Sequence, residues 1–333
     1  MTAELPRLLA FIVTYGEPGD VNRCLRSLAL SQLADFEIFI CENGGEAAFS
    51  NLTNLLLGPD GILEVANVDA AERLDRPGGR IARLVKCRFR DRSNIVRIGR
   101  AVENLGYAGG VNAWLERVLD RSGWCAALVL NPDTEVHEAC LSELLKVVDQ
   151  GYGIVGPTLV FDEAPERIVN CGLRWSSITG RVTAVGRNLP ADRAPPAELL
   201  AGIDAVSGAC VVATRSYIED VGLMAEDYFL YMEDLDWAHR RGRHRTGFAE
   251  KAIVRHVGGT TIGSSSDLKT QSPLSVYLSA RNRILYGRRW AGRMWILHFG
   301  TGLLYAARYA LSGAPASANL SMKGLVDGAR GRS

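Results

Sequence analysis

The sequence lacks most of the features that assign a chain to a class at once. None of its seven cysteines (24, 41, 87, 125, 140, 171 and 210) forms a CxxC pair, and their number is odd. This excludes a disulfide framework and a structural zinc site, and it points to a reducing compartment. There is no excess of one charge: 38 Lys and Arg stand against 37 Asp and Glu, a formal net charge of +1. No global pull toward nucleic acid follows from that balance. The first residues, Met-Thr-Ala-Glu-Leu-Pro, carry neither the basic region nor the apolar segment of a secretory signal. No repeat or low-complexity segment is visible, and no apolar run is long enough for a transmembrane span. What remains is 333 residues, 47% hydrophobic and 23% charged. That is room for one large or two ordinary globular domains.

The N-terminal half alternates strand and helix signals. Leu8–Val13 is a short apolar run, expected as a buried parallel strand. A turn at 14–19 precedes a helix face marked by Val21, Leu25, Leu28 and Leu33, and Phe36–Cys41 is a second strand ending in Glu42-Asn-Gly-Gly. Ligands of open α/β sheets bind at such carboxyl ends, although Glu42-Asn-Gly-Gly also reads as an ordinary turn. Leu52, Leu55, Leu56 and Leu57 suggest a helix, and the charged residues 70–92, around Pro77-Gly-Gly, read as an insertion or mobile loop. A strand is expected over Ser93–Ile98. Glycines 106, 109 and 110 then precede a helix through Trp114, Leu115, Val118 and Leu119. They permit close approach of a ligand or tight packing of helix on sheet. Their spacing is not GxGxxG, so no dinucleotide fingerprint is present.

Two later strand ends carry groups able to hold a cation. Cys125–Leu130 is the most apolar strand and runs into Asn131-Pro-Asp133-Thr-Glu. Mg²⁺ or Mn²⁺ held with a nucleotide diphosphate needs only one or two protein carboxylates there. Asp133 or Thr134 could equally cap a helix from Val136 to Val148. Asp204–Ala213 reads as a strand kinked at Ser207-Gly-Ala, with small residues that leave room for a sugar or simply pack. Lys251–Thr260 gives an apolar strand ending at His256, a structural histidine or a metal ligand beside Asp133.

Between these strands lies Tyr228–Trp237, where Glu233, Asp234 and Asp236 fall within four positions behind a run of large apolar residues. Such a run demands burial, so it brings the carboxylates to the edge of a core, where one can act as a general base or bind a cation. Arginines 240, 241, 243 and 245 follow, which also fits a helix with an acidic start and a basic end.

In their order these residues resemble the family 2 glycosyltransferases of the GT-A fold, nearest to bacterial rhamnosyltransferase-like members. The resemblance covers about residues 8 to 290. It rests on Ile12-Val-Thr-Tyr15, Glu42-Asn43, Glu103-Asn-Leu-Gly-Tyr-Ala-Gly-Gly110, Leu130-Asn-Pro-Asp133, Ser207-Gly-Ala209, Phe229-Leu-Tyr-Met-Glu-Asp234 and His256. It implies an α/β nucleotide-sugar-binding domain with a mainly parallel sheet over residues 1–268, followed by C-terminal helices over 269–333. By resemblance, Thr14, Tyr15 and Glu42 hold the nucleoside, and Asn104, Gly109 and Gly110 line the donor pocket. Asn131 and Asp133 occupy the positions of the DxD motif. Asp133 and His256 would ligate Mg²⁺ or Mn²⁺. Asp234 would be the base and Glu233 its neighbour positioning the acceptor; Trp237 and Asp236 are further acceptor candidates, Asp236 also a partner for a nearby arginine. Gly16 stands where the family usually has Asn, and Glu42 where it usually has Asp.

The implied activity is inverting transfer of a sugar, rhamnose from dTDP-rhamnose being favoured, to a glycan or lipid-linked acceptor in bacterial surface polysaccharide synthesis. A UDP-hexose or UDP-galactofuranose donor and a non-catalytic nucleotide-sugar-binding protein are the alternatives. A nucleotidyltransferase would want a basic Gly-rich loop near the N-terminus, which Thr14–Gly19 is not. The tail is uneven in charge: from Arg281 onward there are nine Lys or Arg and one acid, Asp327. Met294–Ala307 is apolar, is closed by Arg308, and carries Trp295 and Tyr305. It is expected to form helices on the inner face of the cytoplasmic membrane, or otherwise to dock on the catalytic domain or form a homo-oligomer interface.

Overall fold

β1 (Leu8–Thr14) is buried along its whole length, and its alternate residues feed two cores. Leu8, Ala10 and Ile12 enter one, and Leu9, Phe11 and Val13 the other. A strand covered on both faces belongs inside a sheet with helices on each side. The computed structural model describes residues 6–67, 72–256 and 270–332, and its main sheet has eleven strands.

In chain order the first half comprises β1, α1 (Pro18–Ala29), β2 (Phe36–Glu42), α2 (Gly45–Leu57), β3 (Leu63–Val65), β4 (Ile81–Phe89), β5 (Ile95–Ala101), α3 (Gly106–Val118), β6 (Ala126–Leu130), β7 (Thr134–Val136) and α4 (Cys140–Val148). Then come β8 (Ile154–Phe161), β9 (Ile168–Asn170), β10 (Leu173–Trp175), β11 (Val182–Ala184), α5 (Ala197–Leu200), β12 (Cys210–Thr214), α6 (Arg215–Val221), α7 (Glu233–His239) and β13 (Thr246–His256). α8 (Pro273–Trp290), α9 (Trp295–Leu311) and α10 (Pro315–Ala329) complete the described chain. The central strands β5, β2, β1 and β6 run parallel. β12 enters antiparallel between β6 and β8, β13 runs parallel to β8, and β7 closes that edge antiparallel to β13. β10 and β11 form a separate hairpin.

Three local expectations change. Much of the segment read as an insertion is β4, which pairs antiparallel with β5 and supports β3 at the sheet edge; residues 70 and 71 lie outside the described residues. The helix expected from Val136 begins at Cys140, because 134–136 pair with β13 as β7. The Thr134 hydroxyl donates to the Asn131 carbonyl at 2.6 Å and caps no helix. Finally, α3 begins at Gly106, so Gly109 and Gly110 sit inside the helix and not ahead of it.

The C-terminal helices hold the segment that leads into α7. Phe229, Tyr231 and Met232 all have left-handed backbones, with φ of 62°, 70° and 77°. Left-handed geometry costs a side-chain-bearing residue about 1–2 kcal/mol, so something must hold it. The fully buried Asn282 of α8 donates to the carbonyls of Tyr228, Leu230 and Tyr231 at 2.9, 2.6 and 3.0 Å. Arg281 donates to the Tyr228 carbonyl at 2.7 Å. Behind this clamp, Ala280 and Ile284 of α8 pack on Leu325 of α10. The outward side of α9 is unusual: Ile296, Leu297, Leu303, Leu304 and Leu311 are all exposed, Leu304 at 73% and Leu311 at 90%. Among the described residues no helix is long and apolar enough to cross a membrane.

Candidate active site

The carboxyl ends of β1, β6 and β13 open into one cavity of about 850 Å³. Thr14 and Tyr15 come from the end of β1, Asn131 and Asp133 from the end of β6, and His256 from the end of β13. Glu233 and Asp234, opening α7, form another part of the wall; Arg181 beside β11, Arg283 of α8 and Tyr305 of α9 complete it. Parallel strands terminating together leave such a crevice, and the topology accounts for its position.

Asp133 is 7% exposed, and its Oδ1 is buried without a hydrogen-bond partner. His256 Nε2 lies 3.4 Å from that oxygen. A carboxylate oxygen stranded in a cavity wall beside an imidazole nitrogen is a poor arrangement for stability alone, because an unsatisfied buried acceptor is costly. It fits a hard divalent cation sharing its remaining positions with phosphate oxygens and water. Among the described residues no group of three or more His, Cys, Asp or Glu is placed to hold a metal. Thr14 Oγ1 is likewise buried and unpartnered at the cavity's edge.

Asp234 is held differently. Its Oδ2 accepts the Gly208 backbone N–H at 2.9 Å, and its Oδ1 the Leu235 N–H at 2.8 Å. A Cβ on Gly208 would lie 3.1 Å from Asp234 Cβ, so the small-residue stretch brings the backbone onto the acid. The Tyr107 hydroxyl donates to the Gly208 carbonyl at 2.7 Å and fixes the same turn. Burial raises the Asp234 pKa while the two N–H donors oppose that rise. Glu233, also buried, has less help: only its own backbone N–H opposes the rise, its Oε2 lacks a partner, and burial together with the Asp234 charge pushes its pKa up to about 8. The two carboxyls therefore differ in support: Asp234 is oriented by two backbone donors, while burial and the Asp234 charge push Glu233 toward its protonated form.

No protein-family model matches the chain. It is 27% identical over 186 residues to the low-salt glycan biosynthesis hexosyltransferase Agl10 of Haloferax volcanii, a match spanning 55% of this chain and 57% of that protein. It is 27% identical over 260 residues to an N-acetylglucosaminyl-diphospho-decaprenol L-rhamnosyltransferase of Mycobacterium tuberculosis, covering 73% of this chain and 72% of the other. Its fold matches that of a mannosyltransferase from Pyrobaculum calidifontis, solved with GDP-Man and Mn²⁺, at a TM-score of 0.50 and 11% identity over 99% of this chain and 89% of that one. The fold is thus the GT-A fold, and the sequence is similar to those of glycosyltransferases.

Within this GT-A fold the other expected site residues divide into two groups. Asn104 lines the cavity, and its Oδ1 accepts the Gly106 N–H at 3.1 Å. Glu42 does not line it: fully buried, its carboxylate accepts the backbone N–H of Gly16 at 3.1 Å and of Gly44 at 2.6 Å, so it braces the turn after β1. The neighbouring Asn43 does reach the cavity and donates to the Gly106 carbonyl at 2.9 Å. Gly109 and Gly110 are buried in α3; a Cβ on Gly110 would come within 2.7 Å of Val13, which makes it a helix-to-sheet contact and not a pocket wall.

Trp237 and Asp236, expected as acceptor candidates, do not line the cavity. Trp237 is fully buried, stacks edge-on with Tyr217 and donates to the Gly222 carbonyl at 2.9 Å. Asp236, also fully buried, accepts from Arg240 at 2.8 Å, Trp290 at 2.9 Å, Arg289 at 3.0 Å and Tyr228 at 3.2 Å. Two residues along a helix is about 200° of rotation, which turns Asp236 away from the side that Asp234 faces. Tyr107, Arg181, Arg283 and Tyr305 were not singled out from the sequence as cavity residues. The basic bias after Arg281 was the available sign for Arg283, but a bias does not say which arginine turns inward.

Proposed function

We propose that this protein is an inverting glycosyltransferase that uses a divalent cation and a nucleotide diphosphate sugar. The observation that carries the reading is Asp234, fixed by two backbone N–H groups across the cavity wall from the Asp133–His256 pair. Asp234 accepts the proton of an acceptor hydroxyl as that oxygen bonds to the anomeric carbon. The bond from that carbon to the diphosphate oxygen breaks in the same step, and the nucleoside diphosphate leaves. One displacement inverts the centre and needs a single base, unlike glycosidases with their two carboxylates. Glu233, carrying its proton, is suited to donate a hydrogen bond to the incoming acceptor. Asp133 and His256 would hold Mg²⁺ or Mn²⁺, whose charge offsets that of the departing diphosphate. Thr14, Tyr15, Asn104 and Asn131 serve the donor, with Glu42 bracing their loop.

The favoured donor is dTDP-rhamnose, in keeping with the mycobacterial rhamnosyltransferase homologue, and UDP-linked hexoses come next. The acceptor is a glycan on a lipid carrier, met by a catalytic unit of about residues 1–268 with the helical unit after it. The exposed leucine and isoleucine side of α9, with Arg293 and Arg308 beside it, suits the surface of an anionic membrane. Thermal-shift screening with dTDP-, UDP- and GDP-sugars, with and without Mn²⁺, tests the reading, since selective binding to the native state raises the melting temperature. One nucleotide sugar should stabilise the wild type only with metal, and Asp133→Ala should lose that response. An Asp133→Ala protein with unchanged metal dependence would show the cation to be held elsewhere.

A further inference from the structure

Among the described residues Arg283 has no charged partner. The other arginines of the α8 C-terminal half are engaged: Arg289 pairs with Asp227 and Asp236, and Arg288 donates to carbonyls of α10. Arg283 is half-buried in the cavity wall, donates to the Gly180 carbonyl at 3.1 Å, and lies 4.9 Å over the ring of Tyr305. Among the described residues no carboxylate pairs with it, nor with Arg181, the next residue along from that carbonyl. Burial pulls the Arg283 pKa below its ordinary value, and the positive charge of Arg181 adds to the fall. Two cations facing one cavity, with no counter-ion among the described residues, leave a half-buried guanidinium poorly compensated, and a bound anion would correct this.

We infer that Arg283 and Arg181 form a subsite for a phosphoryl group carried by the acceptor. The inference rests on the transferase reading above and names the acceptor's class: a phosphate- or diphosphate-linked lipid. Position selects this source over the donor. The donor's diphosphate belongs with Asp133 and His256 at the strand ends, whereas Arg283 and Arg181 come from α8 and the β10–β11 hairpin. Tyr305, on which Arg283 stacks, belongs to α9, the helix that also exposes Ile296, Leu304 and Leu311. A lipid diphosphate can thus lay its chain along α9, its phosphoryl group on the arginine pair and its sugar toward Asp234.

The probe is farnesyl diphosphate, titrated calorimetrically into the full chain in EDTA, with farnesol as its neutral counterpart. Wild type should bind the diphosphate and not the alcohol. Arg283→Gln should weaken binding by about ten- to a hundredfold, the usual range for hydrogen bonds to a charged group. Arg181→Gln should weaken it by less, Arg283→Lys should retain more than Arg283→Gln, and the distant surface variant Arg243→Gln should bind as wild type. Melting temperatures measured beside each titration separate lost binding from lost folding, and the exposed Arg181 provides a variant that leaves the fold intact. UDP in the same metal-free buffer should not displace the probe; displacement would give the arginines to the donor and overturn the acceptor assignment. Absence of binding by wild type, equal binding of farnesol, or wild-type affinity in both glutamine variants would also overturn it. These titrations contain neither metal nor sugar nucleotide, so failure of the transferase reading would show in the donor screen and failure of the subsite here.

Discussion

Asp236→Asn is a severe test of how α7 is supported. The wild-type carboxylate is fully buried and takes four donors, three on Oδ1 (Arg289, Trp290, Tyr228) and one on Oδ2 (Arg240). Asparagine can keep its carbonyl toward the three donors, but its NH₂ then faces the Arg240 Nε–H, donor against donor. Removing one member of a buried ion pair costs about 3–5 kcal/mol. Here the lower end applies, because both arginines keep other partners: Arg240 on the Val221 and Leu223 carbonyls, Arg289 on Asp227. For 333 residues, unfolding entropy near 2.1 cal/mol/K per residue converts about 3 kcal/mol into a fall in Tm of about 4 °C. The Asp236 pKa is held below the usual carboxylate range: burial acts to raise it, but hydrogen bonds from Trp290, Arg289 and Arg240 outweigh burial. A depressed folded pKa contributes stability above the unfolded value, lost as pH falls through the folded one. The gap between wild type and Asp236→Asn should therefore be full at pH 6–8 and close on acidification below about 4. Thermal scans of both proteins across that range supply the measurement. A gap within 1 °C at pH 7, or one that widens on acidification, would refute the reasoning.

Asp234→Asn should leave donor and metal binding nearly intact while transfer falls by about 10²–10⁴-fold, the contribution of a positioned base; turnover measured beside donor affinity checks it, and a larger loss in Glu233→Gln would move the base to Glu233. Both carboxyls are raised by burial, so kcat/KM should climb with pH, its last rise near the value of about 8 that Glu233 reaches; Glu233→Gln should bring that rise to lower pH, and superimposable profiles would speak against coupling of the pair. Glu233 also affects stability with the opposite sign to Asp236: its raised folded pKa penalises the folded state progressively from pH 4.5 to 8, so Glu233→Gln should gain in Tm over wild type at pH 8.5 and not at pH 4. Liposomes containing anionic lipid should co-sediment the wild type at low salt, and Leu304→Glu with Leu311→Glu should abolish this without lowering Tm, since both side chains are exposed; equal sedimentation of the variant would defeat the membrane reading of α9.

The parts of the fold that could be read from the sequence were those where burial is complete. β1, β2 and β6 are short runs with almost no polar interruption because helices cover both faces of the central sheet. β4 was hidden because it lies toward the edge: Arg83, Lys86 and Arg88 sit among Ile81, Val85, Cys87 and Phe89, and the charges resemble a loop. At the candidate site, Asp133, Asp234 and His256 could be picked out because they follow apolar runs, and strand ends are where parallel sheets bind ligands. Glu42 follows such a run too, yet it turns back to its own loop. Trp237 and Asp236 show the limit from another side, since α7 is short and its facing is fixed by Arg240 at its own end together with Tyr217, Arg289 and Trp290, which are distant in sequence. Arg283 was beyond reach for the same reason, its role depending on Gly180 and Tyr305.

The clamp from Asn282 and Arg281 onto the left-handed Phe229–Met232 segment has a consequence for how the protein comes into being. The residues that hold this bend follow it by about fifty positions, so they leave the ribosome several seconds after it, at synthesis rates of about 5–20 residues per second. In that interval β1, β2 and β6 can pair and bury their cores, while the bend has nothing to offset its unfavourable backbone geometry and relaxes to ordinary dihedrals. Asp234, attached directly to the bend, reaches its place against Gly208 only when α8 docks. A nascent chain would therefore form the crevice at the strand ends before it fixed the carboxylate proposed as the base.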